Sequence, residues 1–286
     1  MKRINITVKG WLKVLPFYLL TFLLFYLFTF LPLPVLAQTD SLPRPLPIST
    51  TTYQIGLGPT KVLDTYLSQE NFSGLGLTLL ATTERERPDR HWLTRIEHQL
   101  NLSSTKDRSD KQQELQGDYS IFVGRLRHWQ LQNHWRVQVG GMLAGNVGFI
   151  YNTSNSNNPA QARVALNLMP TATVSKGFSL WHHDACVRYE VNLPLVGLMF
   201  SPNYGQSYYV IFNRGNYDHN IVPTTFIATP NFRQQLSLEY SITPHTAITL
   251  GYLGDYQQAK VNSLKSHIYT HRVMIGFIKR FSIIKR

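Results

Sequence analysis

Asp218 and His219 stand side by side in the longest polar connection of the chain, residues 202–223 (PNYGQSYYVIFNRGNYDHNIVP). An aspartate beside an imidazole can orient it and stabilise its protonated form, which is what a general base requires. Successive strand residues point to opposite sides, so these two cooperate only where the backbone is irregular. No aspartate pair of protease-like spacing, no His-x-Ser and no Gly-x-Ser-x-Gly accompanies them, so the motif lacks a nucleophile. A rim hydrolase using His219, acting on protein or lipid, is therefore an alternative reading and not the leading one.

The other chemistry-bearing side chains point away from metals and cofactors. His182 and His183 are adjacent, so their rings should face opposite ways. His267 and His271 share a strand face, but about 13 Å apart along it, too far to share a metal. Cys186, the single cysteine, excludes an intramolecular disulfide and a multi-cysteine zinc site. Neither a glycine-rich phosphate loop nor an EF-hand pattern occurs, so no cofactor is expected.

Charged residues recur with a period of two. Arg95, Arg136, Arg163, Arg188, Arg233 and Arg272, with Glu97, Glu190, Glu239 and Asp255, all fall on the polar parity of segments whose other parity is apolar. In 185–195 Val187, Tyr189, Val191 and Leu193 alternate with Cys186, Arg188, Glu190 and Asn192. In 231–242 Phe232, Leu236, Leu238 and Tyr240 alternate with Arg233, Gln235, Ser237 and Glu239. Such alternation makes half-buried strands, not helices. Ten segments carry it: about 51–63, 73–87, 91–102, 115–131, 135–151, 161–175, 180–201, 224–242, 246–259 and 267–281. Strand three sets His98 on the apolar parity, and strand four changes parity near Val123–Gly124, where a bulge is expected.

Connection lengths alternate as well. Short turns are expected around Pro88-Asp89, Asn133, Lys176-Gly177 and Pro244, and longer loops at 64–72, 103–114, 152–160, 202–223 and 260–266. Short turns at one end and long loops at the other are the pattern of an antiparallel transmembrane β-barrel of about ten strands, with eight or twelve as the alternatives. Trp92, Trp129, Trp135 and Trp181 all lie near the short turns, where a membrane-interface girdle would place indole. Phe149, Tyr151 and Tyr269 mark the opposite side. A periplasmic β-sandwich would also alternate, yet it needs a second sheet on its apolar face and has no reason to sort tryptophan by end. The glycines at 56, 58, 74, 76, 140, 141, 145 and 148 are read as easing barrel curvature.

Residues 1–37 read as a cleaved signal peptide: Lys2, Arg3, Lys9 and Lys13, an apolar run from Val14 to Leu31, then Val35-Leu36-Ala37 before Gln38. An uncleaved anchor is the alternative, because the run is long. Residues 38–50 read as a proline-rich linker, 51–281 as the barrel and 282–286 as a short tail. The expected place is a bacterial outer membrane, with short turns in the periplasm. Lys106, Arg108, Lys111, Arg214, Lys260 and Lys265 in outer loops can then meet lipopolysaccharide phosphates. The formal charge of +12 thus needs no nucleic-acid partner.

Five stretches carry a family likeness: VLDTYLS (62–68), ERERPDRHW (84–92), NNPAQARVALNLMP (157–170), LMFSPNYGQSYY (198–209) and GYLGDYQQAKVNSLKSHIYTHRVMIGF (251–277). They resemble an uncharacterised family of exported Bacteroidota proteins, the domain of unknown function numbered 3316. That resemblance implies an outer-membrane setting and brings no activity, catalytic residue or cofactor.

The leading expectation is a non-enzymatic surface barrel with a lumen plugged by salt bridges. It would bind a protein or glycan through Tyr204, Tyr208, Tyr209, Arg214 and Tyr217. The alternative is a narrow anion-preferring channel lined by the lumen arginines.

Overall fold

The computed structural model describes residues 47–156 and 158–282. The expected signal peptide, most of the linker and the last four residues lie outside the described residues. The strands are β1 (Ile48–Asp64), β2 (Phe72–Glu86), β3 (Trp92–Lys106), β4 (Gln113–Gln130), β5 (Trp135–Asn152), β6 (Ala160–Leu180), β7 (His183–Asn192), β8 (Val196–Phe200), β9 (Ile221–Thr225), β10 (Phe232–Thr243), β11 (Thr246–Val261) and β12 (Leu264–Ser282). A short helix, α1 (Tyr208–Phe212), lies between β8 and β9.

Every pairing is antiparallel, and the sheet closes on itself through β1–β12 and β5–β6. The wall has ten positions, because two of them are each shared by two consecutive strands. β6 pairs with β7 along Thr171–Leu180 and with β8 along Val164–Leu168. Pro194 interrupts that strand. Leu193 N and Leu195 N still donate to Pro170 O and Leu168 O, both at 3.0 Å, so the wall stays sealed across the bulge. The extra residue flips the inward parity from even in β7 to odd in β8. β9 and β10 share the next position, joined by an arch at 226–231.

The alternation read from the sequence holds along the wall. The outer face leaves Leu57, Leu75, Leu143, Val147, Leu168, Leu250, Val273 and Ile275 each more than half exposed. A water-soluble monomer rarely leaves so continuous an apolar face uncovered. Trp92, Trp129 and Trp135 are exposed at the short-turn end, with Arg125, Arg127 and Lys176 placed 5.7, 5.3 and 5.2 Å from the rings of Trp92, Trp129 and Trp135.

Several expectations need correction. β1 begins at Ile48, so its first three residues come from the expected linker. The turn placed at Lys176-Gly177 lies instead at Trp181-His182, both with positive φ, and β6 runs on to Leu180. The loop placed at 260–266 is a two-residue turn, Asn262-Ser263, again with positive φ at both positions as a tight hairpin demands. β4 keeps one register against β3 and β5 throughout, so there is no bulge at Val123–Gly124. The apparent change of parity arises because the lumen is apolar there: Phe122 and Leu126 face inward and pack with Leu93, Met142, Ala144 and Met169. His98 does face outward, where its Nδ1 lies 2.6 Å from the Tyr119 hydroxyl.

Candidate functional site

Inside the wall, side chains fill the space in layers. The central layer joins β2, β3, β7 and β10. Arg95 is wholly buried and contacts Glu84 at 2.6 Å, Glu190 at 2.7 Å and Gln138 Oε1 at 2.7 Å. Arg188 contacts Glu84 at 2.5 Å and Glu190 at 3.5 Å. Arg233 pairs with Glu97, lies 3.5 Å from Glu190 and accepts support from Gln99, whose Oε1 takes its Nε hydrogen at 3.0 Å. The Arg233 guanidinium also sits 5.1 Å from the Phe122 ring centre. Buried charges survive in a low-dielectric interior only with such multiple partners.

The remaining expected lumen residues lie outside that layer. Arg136 pairs with Glu86, and Glu239 lies 3.6 Å from Arg280. Asp255 accepts from Gln99 at 2.9 Å. Arg163 donates to Gln257 at 3.3 Å, and its Nε is buried without a partner among the described residues. Arg272 makes no ion pair among the described residues. It donates to the carbonyls of Gly58, Pro59 and His271 and to the hydroxyls of Thr60 and Thr78, stitching β1, β2 and β12 together.

Glu84, Glu86 and Arg280 are the members that sequence reasoning missed. All three lie within the expected strands 73–87 and 267–281 and on the inward parity there, so alternation alone could have added them to the expected lumen set.

Below the central layer, at the short-turn end, lies a polar cavity of about 360 Å³. Its walls include Glu84, Arg136, Cys186, Arg188, Glu239 and Arg280. Above it, at the long-loop end, Val62, Leu67, Phe72, Ile150 and Ile268 form an apolar cluster across the interior. The Arg95 layer and this cluster both place buried side chains in the interior of the barrel.

The 201–220 segment folds over the long-loop end. Ser207 caps α1, its side chain accepting from Val210 N. Asn220 donates to Ser201 O at 3.2 Å and to Gln206 Oε1 at 2.8 Å, while Asn262 donates to Ser201 O and His219 O. Tyr208, expected among the ligand-binding tyrosines, is an anchor instead. Its hydroxyl donates to Gln161 at 2.8 Å and accepts from Ala162 N at 2.7 Å, and its ring packs between Tyr66 and Phe212. Burial pushes its phenol above the ordinary tyrosine range.

Tyr204, Tyr209, Phe212 and Tyr217 are exposed on this cap, and the Arg214 guanidinium lies 5.5 Å from the Tyr209 ring centre. Asp218 and His219 do meet, Oδ1 to Nδ1 at 2.5 Å, because His219 takes a positive φ. Both are exposed. Among the described residues no group of three histidine, cysteine or acidic side chains is arranged for a metal.

A family model described as "Protein of unknown function (DUF3316)" matches residues 18–286. The sequence matches no curated protein. Solved structures with a similar course of the chain include the outer membrane protease OmpT from Escherichia coli, at 6% identity and a TM-score of 0.45, covering 85% of this chain and 99% of that one. Neisserial surface protein A is similar at 10% identity and a TM-score of 0.36, covering 82% and 97%. The attachment invasion locus protein Ail of Yersinia pestis, crystallised with sucrose octasulfate, is similar at 12% identity and 0.33, covering 82% and 99%. At these values the likenesses say nothing of activity.

Proposed function

The chain belongs to the DUF3316 family of proteins of unknown function, and we propose that it is a plugged outer-membrane barrel that binds a glycan or protein through its 201–220 cap. The observation that carries this reading is a contrast within one molecule. Arg95, Glu97, Glu190 and Arg233 are buried and ion-paired inside the wall, whereas the cap is fixed from below by Tyr208, Gln206 and Asn220 and leaves four aromatic side chains exposed.

Rigid, exposed tyrosines with a neighbouring arginine give large contact area at low entropic cost, which favours recognition over flexible packing. The apolar outer face and the cation-capped tryptophans support a membrane setting, with the short turns on the periplasmic side. On this reading the protein is not an enzyme.

The test replaces Tyr204, Tyr209 and Tyr217 together by serine and compares the refolded proteins on a saccharide array. Wild-type binding that disappears in the triple variant, with folding intact, supports the reading. Identical profiles would refute it. The exposed Asp218–His219 contact favours a second reading, a rim hydrolase. His219→Ala would then abolish hydrolysis of peptide or ester probes, and on the leading reading it changes nothing.

A further inference from the structure

On the outside of the barrel, β1, β11 and β12 change character at one level. Counting from the short-turn end of β12, the outward residues are Phe281, Phe277, Ile275 and Val273 with only Lys279 among them, and then His271, Tyr269, His267 and Lys265. β1 follows the same course, with Tyr53, Ile55, Leu57 and Pro59 before Lys61, and β11 runs from Ile248 and Leu250 to Tyr256, Gln258 and Lys260. Nine strand residues from Phe281 to Val273 match the roughly 9–11 that cross a hydrocarbon layer. The polar stretch above therefore sits at headgroup height.

Its side chains form an ordered plate. His267 stacks on Tyr269 with centroids 4.5 Å apart, and Tyr256 meets His271 edge-on at 5.3 Å. The Tyr252 hydroxyl lies 2.6 Å from His271 Nδ1. Gly254 permits this closure: a Cβ there would stand 3.0 Å from the Tyr252 oxygen and 3.2 Å from the Tyr256 ring.

Three exposed lysines border the plate. Lys61 is directly opposite Tyr269, and Lys260 is directly opposite Lys265. Like charges facing each other across a strand pair are destabilising. Among the described residues none of the three forms an ion pair. A bound anion between Lys260 and Lys265 would turn that repulsion into attraction, and the neighbouring rings offer a sugar face to stack on.

We infer that this face is a binding site for the phosphorylated headgroup of an outer-leaflet glycolipid. The inference rests on the outer-membrane reading above and deepens it. One phosphate engages Lys260 and Lys265. A second engages Lys61, which lies beside Tyr269 about 13 Å further along the strand. The headgroup sugar lies against Tyr269 and Tyr256.

The test uses the refolded protein in neutral detergent, titrated with lipid A, with bound lipid counted by native mass spectrometry. The comparison proteins are wild type and Lys61→Ala/Lys260→Ala/Lys265→Ala, whose three positions are exposed. The expected result is affinity about a hundredfold weaker in the triple variant, given the usual contribution of each basic side chain at a charged membrane surface. Lipid A stripped of phosphate should bind wild type as weakly as phosphorylated lipid binds the variant. Equal retention by both proteins, or undiminished binding of dephosphorylated lipid, would overturn the site. Failure of wild type to insert into any bilayer, read by gel mobility with and without heating, would instead overturn the membrane reading beneath it.

Discussion

Arg95 on β3 reaches across the lumen to Glu190 on β7, its Nη1 2.7 Å from Oε2, while its other terminal nitrogen meets Glu84 from β2. One guanidinium therefore ties β3 and its neighbour β2 to β7, which is adjacent to neither in the wall. The contact is buried inside the wall.

Removing this side chain leaves two buried carboxylates short of a partner. Arg95→Ala is expected to lower unfolding stability by about 3–5 kcal/mol, the usual cost of breaking a buried pair. Arg188→Ala should cost less, because Arg188 is one-fifth exposed. Urea unfolding followed by tryptophan fluorescence measures both. Equal, negligible losses would mean that the layer is not what holds the interior.

The tyrosines of the cap divide into two kinds. Tyr208→Phe deletes the hydroxyl shared with Gln161 and Ala162 and should cost about 0.5–1.5 kcal/mol, with faster proteolysis of residues 201–220. Tyr209→Ser should leave stability within about 0.5 kcal/mol, as an exposed substitution does. Limited proteolysis of the two variants side by side distinguishes anchor from contact residue.

Cys186 lines the cavity at the short-turn end and is the only cysteine in the chain. It is a built-in reporter of orientation and of the plug. A membrane-impermeant maleimide added to intact cells should not label it, because the Arg95 layer and the Val62–Ile268 cluster lie between. Labelling should appear once the outer membrane is permeabilised. Labelling of intact cells would mean an open lumen or an inverted barrel.

Gly76 makes room for Arg272. A Cβ at that position would collide with the Arg272 guanidinium and lie 2.8 Å from the Leu102 carbonyl oxygen. Gly76→Val is therefore expected to destabilise by at least about 1–3 kcal/mol, the range for overpacking, and to release the clamp across β1, β2 and β12. Gly141→Val, where a Cβ would have open space, is the control.

Much of this barrel is legible in the sequence because burial alternates with the pleat. Arg188 and Glu190, two residues apart, had to share a face whatever the register. The failures are equally physical. Phe122 and Leu126 disguise the inward face of β4, since an interior packed with side chains accepts apolar ones as readily as paired charges. Pro194 cannot reveal from sequence whether it ends a strand or bulges it. The meeting of Asp218 and His219 depends on one positive φ, which composition does not disclose. Tyr208 looks like its neighbour Tyr209 until the helix sets one ring inward and the other out.

Conductance of the refolded barrel in a planar bilayer tests the central claim, that the lumen is shut. The predicted record is silent once insertion has been verified by protease protection of the strands. Stepwise openings with anion preference, altered by charge reversal at Arg188 or Arg163, would contradict it and make the lumen itself the functional site.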